Sequence, residues 1–415
     1  MILRARVLLP LSQPAIEDGV VCVSGDRITR VGRWSNLSPS LRKEAVDLVE
    51  MIILPGLINA HCHLDYTDMA GQLTSPRTFP DWIKALLALK AQWTYSDYAE
   101  SWVHGARMLL RNGVTTVADI EAVPELLPEV WEATPLRVFS FLEITGVKSR
   151  RAPRDILRES TEKIESLAKY RNSVGLSPHA PYSTTPELLR LSGRVARRKK
   201  WRVTTHVAES APEFDMYRDR RGTFFEWLKN QRDMSDCGLG SPVEHLERQG
   251  LLGENLLAVH ANYLGPNDAR LLGERGVSVV HCPRSHAFFR HQPFPHEALV
   301  EAGVNVSLGT DSLASVQKVR GQVLQLNCFE EMRAFSLASP GLAPEKILSM
   351  ATLNGAQALG WAGKIGELSE GSFADLIAIP FPGKASQACD AVLHHPGEVA
   401  SSMIAGEWAI RPELD

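Results

Sequence analysis

The chain has 415 residues, 44% hydrophobic and 22% charged, with a formal net charge of -3. Its length exceeds what one small core needs, and the near-neutral balance gives no electrostatic footprint for nucleic acid or an anionic membrane surface. No apolar run approaches the roughly 18 residues that span a bilayer.

The first residues, MILRARVLLPLSQPAIEDG, lack the small-residue cleavage pattern of a secretory leader. ILRARVLLP and GVVCVSGDRITRVG are short β-rich runs broken by Gly-Asp and Pro turns, the pattern of a hairpin-built sheet. From residue 56 the texture changes. Eight short apolar runs recur: GLINAHCH (56–63), GVTTVADI (113–120), RVFSFLEI (137–144), SVGLSPH (173–179), RVTTHVAE (202–209), LLAVHAN (256–262), VSVVHCP (277–283) and NVSLGTD (305–311). Helical patterns such as DWIKALLALKAQW, DILRESTEKIESLAKY and PELLRLSGRVARRKK lie between most of them, and APEKILSMATLNGAQALG follows the last. Eight such β-α units between residues 56 and 365 predict a (β/α)8 TIM barrel. Two connections run long, 65–112 and 210–255, and long connections at strand C-terminal ends carry lids and specificity elements. Past residue 365, SFADLIAIP, DAVLHH and SSMIAGEWAI read as short strands again. The expected organisation is the barrel over 56–365 with a small β-sandwich domain formed by both termini, 1–55 with 366–415. The six cysteines (22, 62, 237, 282, 328 and 389) are scattered without a CxxC pair, so reduced thiols and a cytoplasmic setting are expected.

In INAHCHLDY (58–66) a strand would place His61 and His63 on one face, with Cys62 pointing away as a packing residue. H-x-H alone is a weak signal. The other runs repeat it, however: Glu143 lies at the end of the third, His179 of the fourth, His206 and Glu209 of the fifth, His260 of the sixth, His281 of the seventh and Asp311 of the eighth. Ordinary core histidines would scatter over both ends of a barrel. These crowd onto the C-terminal face, where barrels build active sites. His61, His63, His206 and Asp311 offer three neutral imidazoles and one carboxylate. That set suits one divalent cation, zinc first and iron(II) second, with a position left for water.

PGLINAHCH, THVAES, VHANYL and GTDSLAS resemble signatures of the amidohydrolase superfamily in its single-metal deaminase branch, and GELSEGSFADLIAI and AGEW carry the likeness into the terminal β domain. The resemblance implies a (β/α)8 barrel, one metal on His61, His63, His206 and Asp311, and catalytic roles for Glu209 and His260. Two-metal members carry a lysine at the end of the fourth strand. His179, in SPHAPYS, takes that place here, so one metal is expected. Such an ion brings the pKa of water toward neutrality. Glu209 would then move a proton from that water to a ring nitrogen of the substrate. His260 would orient the attacking oxygen, and Asp311 would take the second proton as ammonia leaves. The H-x-E and P-C-x-x-C arrangement of cytidine-type zinc deaminases is absent.

CPRSHAFF followed by GVNVSLGTDSLAS is most similar to the aminodeoxyfutalosine deaminase group, with S-adenosylhomocysteine deaminases and triazine chlorohydrolases as further relatives. His286 stands where that group has asparagine. The expected partner is a small molecule, an adenine-type nucleoside. An aromatic carboxylate on it would call for a cation, and Arg284 and Arg77 are the candidates. Glu143 and His179 are candidates for holding a ribose or a ring edge, and His281 for touching substrate. Phe224, Phe225 and Trp227 line either the pocket or a subunit contact, which leaves a homodimer open. Hydrolysis of a cyclic amide, or dehalogenation, at the same metal site is the competing reading. A non-catalytic scaffold would have lost one of these residues, and all are present.

Overall fold

The computed structural model describes residues 1–147, 149–170 and 172–413. The chain opens with β1 (Ile2–Leu8), β2 (Ile16–Ser24) and β3 (Arg27–Arg33). β2 and β3 meet at the Gly25-Asp26 turn, where Gly25 takes φ +57°, a conformation that glycine adopts without steric cost. β4 (Ala45–Pro55) follows, a strand that its interspersed charges conceal in the sequence. Asp47 and Glu50 face outward and pair with Arg4 and Arg6 on β1, while Ile52, Ile53 and Leu54 are fully buried.

The eight apolar runs are strands of one parallel sheet. In chain order they are β5 (Leu57–Cys62), β6 (Val114–Glu121), β7 (Arg137–Ile144), β8 (Ser173–Pro178), β9 (Val203–Val207), β10 (Leu256–His260), β11 (Ser278–His281) and β12 (Asn305–Leu308), each beside its neighbour in sequence. Almost every residue in them is buried, because helices cover the outside of a parallel sheet. Such strands therefore read as continuous apolar runs. The sheet closes on itself. The N–H groups of Thr310 and Asp311 donate to the His61 carbonyl at 3.0 and 3.1 Å. The Asn59 side chain accepts from Thr310 N–H (3.0 Å) and donates to its hydroxyl (2.8 Å). Inside, Ile58, Ala60, Phe139, Phe141, Leu257, Val259 and Val280 meet in one apolar cluster.

The connection 65–112 carries the helices Phe79–Lys90 and Tyr95–Arg111, and 210–255 carries Ala211–Asp219, Gly222–Leu228 and Pro242–Arg248. Thr78 caps the first by accepting from Asp81 N–H, and Thr94 and Asp97 form a reciprocal capping box at the second, each satisfying N–H groups that a helix start leaves open. After the barrel, β13 (Leu376–Pro380), β14 (Ser401–Ile404) and β15 (Glu407–Ile410) rejoin the N-terminal strands in one continuous seven-stranded sheet, ordered β15-β14-β13-β4-β1-β2-β3. Arg137 on β7 grips Asp375 with two hydrogen bonds of 3.1 and 3.2 Å, tying barrel to sheet. One expectation is corrected: DAVLHH is not a strand. Ala388–Leu393 is a helix, with Ala388, Val392 and Leu393 buried together. A short apolar run fits either period, and here packing against the helix Pro344–Met350 decides it. Among the described residues no helix is long and apolar enough to cross a membrane.

Candidate metal centre and active site

Strict alternation along β5 would send Cys62 into the barrel with Ile58 and Ala60. Instead the β5–β6 register shifts between Asn59 and Cys62. Cys62 joins the outer core, and both histidines turn into the barrel mouth. Gly309, just past β12, makes room for this: a Cβ there would lie 2.7 Å from the His61 carbonyl oxygen and 2.8 Å from the His61 Cβ. The turn after His63 is fastened by Asp119, which accepts from Leu64 N–H (3.0 Å) and Trp102 Nε1–H (2.8 Å).

Four side chains from three places in the barrel converge here. His63 Nε2 lies 3.4 Å from His206 Nε2, and Asp311 Oδ1 lies 3.6 Å from the Nε2 atoms of both His61 and His63. The rings of His61 and His206 are 4.9 Å apart. His206 Nδ1 donates to the His179 carbonyl at 2.8 Å, which fixes its tautomer and leaves Nε2 as a lone pair. Burial lowers His206 to about 3 and His63 well below its usual value, so both imidazoles are neutral. Among the described residues neither ring nitrogen of His61 has a hydrogen-bond partner, although the residue is 1% exposed. Lone pairs aimed at one buried point, beside an orphaned imidazole, are costly without a cation. The Asp311 carboxylate is oriented from behind, accepting from the hydroxyls of Ser285 (2.7 Å) and Ser315 (2.9 Å). These residues fit a divalent metal ion.

Glu209 and His260 stand beside that set. His260 Nε2 is 3.4 Å from Glu209 Oε1, and ligating atoms of Glu209, His260 and Asp311 lie within 4.8 Å of one another. Burial first, and then the charges of Asp311 and Glu213, push the Glu209 carboxyl well above its ordinary value. Carboxyls perturbed in this way concentrate at functional sites. His260 and Asp311 take φ +74° and +53°, left-handed conformations that non-glycine residues pay for and that concentrate at functional sites.

Above these groups opens a cleft. Glu143 and His179 form one wall, with His179 Nε2 3.9 Å from Glu143 Oε2 and His179 Nδ1 2.7 Å from Ser183 Oγ. The opposite wall is apolar: Tyr66, Phe79, Trp82, Ile83 and Leu86 from the first long connection, and Trp227 and Leu228 from the second. Tyr66 stacks parallel on His63 at 5.1 Å, and its hydroxyl meets the ammonium of Lys90, which also lines the cleft.

Some expected contacts are not made. Arg284 does not line the cleft: its backbone N–H and Nε donate to Glu331 at 2.9 and 2.5 Å, Nη1 meets Glu330, and Nη2 donates to the Gln325 carbonyl at 2.8 Å. The helix Pro283–Phe288 turns it toward the helix Cys328–Ala338. His281 is also outside, its ring stacked on Phe294 at 3.8 Å. Arg77 lines a separate cleft that shares the wall residue Phe79. Of the three insertion aromatics, Trp227 lines the cavity, Phe224 backs it at 4.7 Å from Tyr182, and Phe225 does not reach it. Lys90 went unnoticed in the sequence, although residues 79, 82, 83, 86 and 90 share one helical face whose last member is charged.

The match to known proteins spans the same elements. Residues 52–409 match the amidohydrolase family. The 5-methylthioadenosine/S-adenosylhomocysteine deaminase of Syntrophobacter fumaroxidans is 32% identical over 377 residues, covering 88% of this chain and 80% of the relative. Among solved structures, Helicobacter pylori aminofutalosine deaminase in complex with methylthio-coformycin superposes with a TM-score of 0.85 at 23% identity, covering 98% of this chain and 99% of that one. An adenosine deaminase from Xanthomonas campestris with bound zinc gives 0.83 at 24% identity, covering 100% and 94%. With the match running from β4 to β15, the chain belongs to the amidohydrolase family.

Proposed function

We propose that this chain is a hydrolytic deaminase that replaces the exocyclic amine of an adenine-type nucleoside with oxygen and releases ammonia. The observation that carries the reading is the placing of Glu209 and His260 against a four-donor metal set at the floor of an apolar-walled cleft. It gains support from a relative named for deaminating adenosine thioethers.

In this reading His61, His63, His206 and Asp311 hold one zinc ion. When bound, the ion makes water nucleophilic near neutral pH. Glu209 takes the proton from the attacking water and delivers it to the ring nitrogen beside the reacting carbon. His260, within reach of Glu209, steers the attacking oxygen. The second proton passes by way of Asp311 to the amine, which departs as ammonia. Glu143 and His179 hold the ribose hydroxyls or the edge of the base. Among the described residues that line the cleft, Lys90 is the one lysine or arginine, so it takes the part first given to Arg284. An aromatic wall with a single ammonium suits a nucleoside whose 5′ substituent is apolar and carries an anion, and aminodeoxyfutalosine is the first candidate.

The test is ammonia release from zinc- or iron-loaded protein across adenosine, 5′-methylthioadenosine, S-adenosylhomocysteine, 5′-deoxyadenosine, aminodeoxyfutalosine, guanine and cytosine. Release from an adenine nucleoside is expected. Release from guanine or cytosine alone would overturn the substrate class. Silence across a panel with metal demonstrably bound would withdraw the deaminase reading in favour of ring-amide hydrolysis.

A further inference from the structure

Glu213 is fully buried, yet the chemistry above gives it no part. In HVAESAPE the strand β9 ends at Val207, and the chain has two residues in which to bring Glu209 over the metal set. Ala208 takes φ +51° to do so, a left-handed conformation that is strained for any residue with a Cβ. Something must hold it. The Glu213 carboxylate does, with Oε1 accepting from Ala208 N–H at 3.1 Å and Oε2 from Glu209 N–H at 2.8 Å. Ser210 and Glu213 have the spacing of a capping box, and Ser210 Oγ accepts from Glu213 N–H at 3.4 Å. A helix cap would be complete with the carboxylate returned to Ser210. Here it reaches further back, onto Ala208 and Glu209. On the other side of the same residue, Asn262 Nδ2 donates to the Glu209 carbonyl at 2.9 Å, and Asn262 Oδ1 is itself held by His286 Nδ1 at 3.0 Å. The backbone closes the frame: Ala261 N–H donates to Val207 O (3.0 Å) and Tyr263 N–H to Ala208 O (3.1 Å).

We propose that Glu213 and Asn262 are positioning residues that clamp the two peptide groups flanking Glu209 and so fix its carboxyl over the metal set. The catalytic meaning of the clamp rests on Glu209 being the proton carrier. Burying a carboxylate against backbone amides is expensive, and that expense is understandable where about 1 Å of misplacement costs on the order of 100-fold in rate.

Glu213→Gln tests it, because the amide offers one acceptor where the carboxylate offers two and turns a donor toward a backbone N–H. The zinc-loaded variant should keep its metal and show the 208–209 peptide displaced by on the order of 1 Å, with kcat about 10- to 100-fold lower and KM within about twofold. Introduced on top of Glu209→Gln, it should cost less than about twofold more, since it acts through Glu209. An unchanged kcat would overturn the proposal, as would an equal loss in the Glu209→Gln background. If Glu213→Gln does not fold, Asn262→Ala takes the same two tests, with a loss of about tenfold in kcat expected and an unchanged kcat decisive against it. Should the wild-type protein release no ammonia from any nucleoside, the deaminase reading falls alone. The clamp is then judged by crystal structure, and an unmoved Glu209 backbone in the variant sinks it.

Discussion

The ends of β5 and β11 begin alike: each is a buried strand with a histidine among its last two residues, followed within a few residues by further basic groups, His61-x-His63 in one and His281-Cys-Pro-Arg284-Ser-His286 in the other. They end differently. At β5 the imidazole nitrogens of His61 have no hydrogen-bond partner among the described residues and face two more imidazoles and a carboxylate. At β11 neighbouring elements have already supplied counter-groups, Glu331, Glu330 and Gln325 for Arg284 and Asn262 for His286, while His281 lies flat on Phe294 with Nδ1 unbonded and, among the described residues, in no group of converging metal donors. Position at a strand end brings a residue near the mouth of the barrel. Whether it is left unsatisfied, and in company, decides whether it has chemistry to do.

Breaking both ends makes the contrast quantitative. His61→Ala removes one of four donors and should abolish metal retention and ammonia release together, as read by metal analysis of the purified protein and by turnover. Arg284→Met should leave metal content and turnover nearly intact. It strands the buried Glu331 carboxylate, which burial has pushed up to about 7, and so should lower stability by about 3 kcal/mol. Loss of metal from the Arg284 variant would mean that the two ends are not separable.

Glu209→Gln separates metal from proton transfer. The variant should bind metal as the wild type does and lose on the order of 1000-fold in kcat. Normal turnover would remove Glu209 from the proton path.

The same contrast explains how much was legible beforehand. The barrel, its eight strands and the residues at their ends follow from sequence, because buried parallel strands are apolar throughout and interruptions at their C-terminal ends stand out. β4 escaped because its charges find cross-strand partners on β1, and DAVLHH misled because six residues cannot distinguish two periods. Arg284 misled for a further reason: its satisfaction depends on Glu330 and Glu331, which lie more than forty residues onward. Lys90 and Glu213 were missed on the same ground. Each looks like an ordinary helical charge until tertiary packing shows where it points.

A smaller effect sharpens the assignment of Lys90. Lys90→Met should raise KM about tenfold for a nucleoside with an anionic 5′ substituent, while kcat and the KM for 5′-methylthioadenosine stay within about twofold. Equal losses on both substrates would make Lys90 a support for Tyr66, and not a reader of charge.

His245 tests the other half of the rule, that an unsatisfied nitrogen without company is inert. It is fully buried and neither ring nitrogen has a hydrogen-bond partner, as for His61. It packs on Tyr217 at 4.8 Å, however, with Asp236 3.8 Å away, and among the described residues it belongs to no group of converging metal donors. Burial, then the charges of Arg232 and Arg248, lower it to about 3. Between pH 3 and 6.5 the unfolded chain therefore binds a proton that the folded chain refuses. The neutral ring's contribution is complete above pH 6.5 and is lost as the pH falls toward 3, by about 1 kcal/mol at pH 5.5. His245→Phe keeps the packing without the titration, so its melting temperature should fall less than the wild type's between pH 7.5 and 5.5, with metal content and turnover at pH 7.5 unchanged. An equal fall in both proteins would show that His245 is protonated inside the folded chain beside Asp236. A fall in metal content would show that an isolated buried imidazole matters to the site after all, and the convergence criterion would lose its discriminating power.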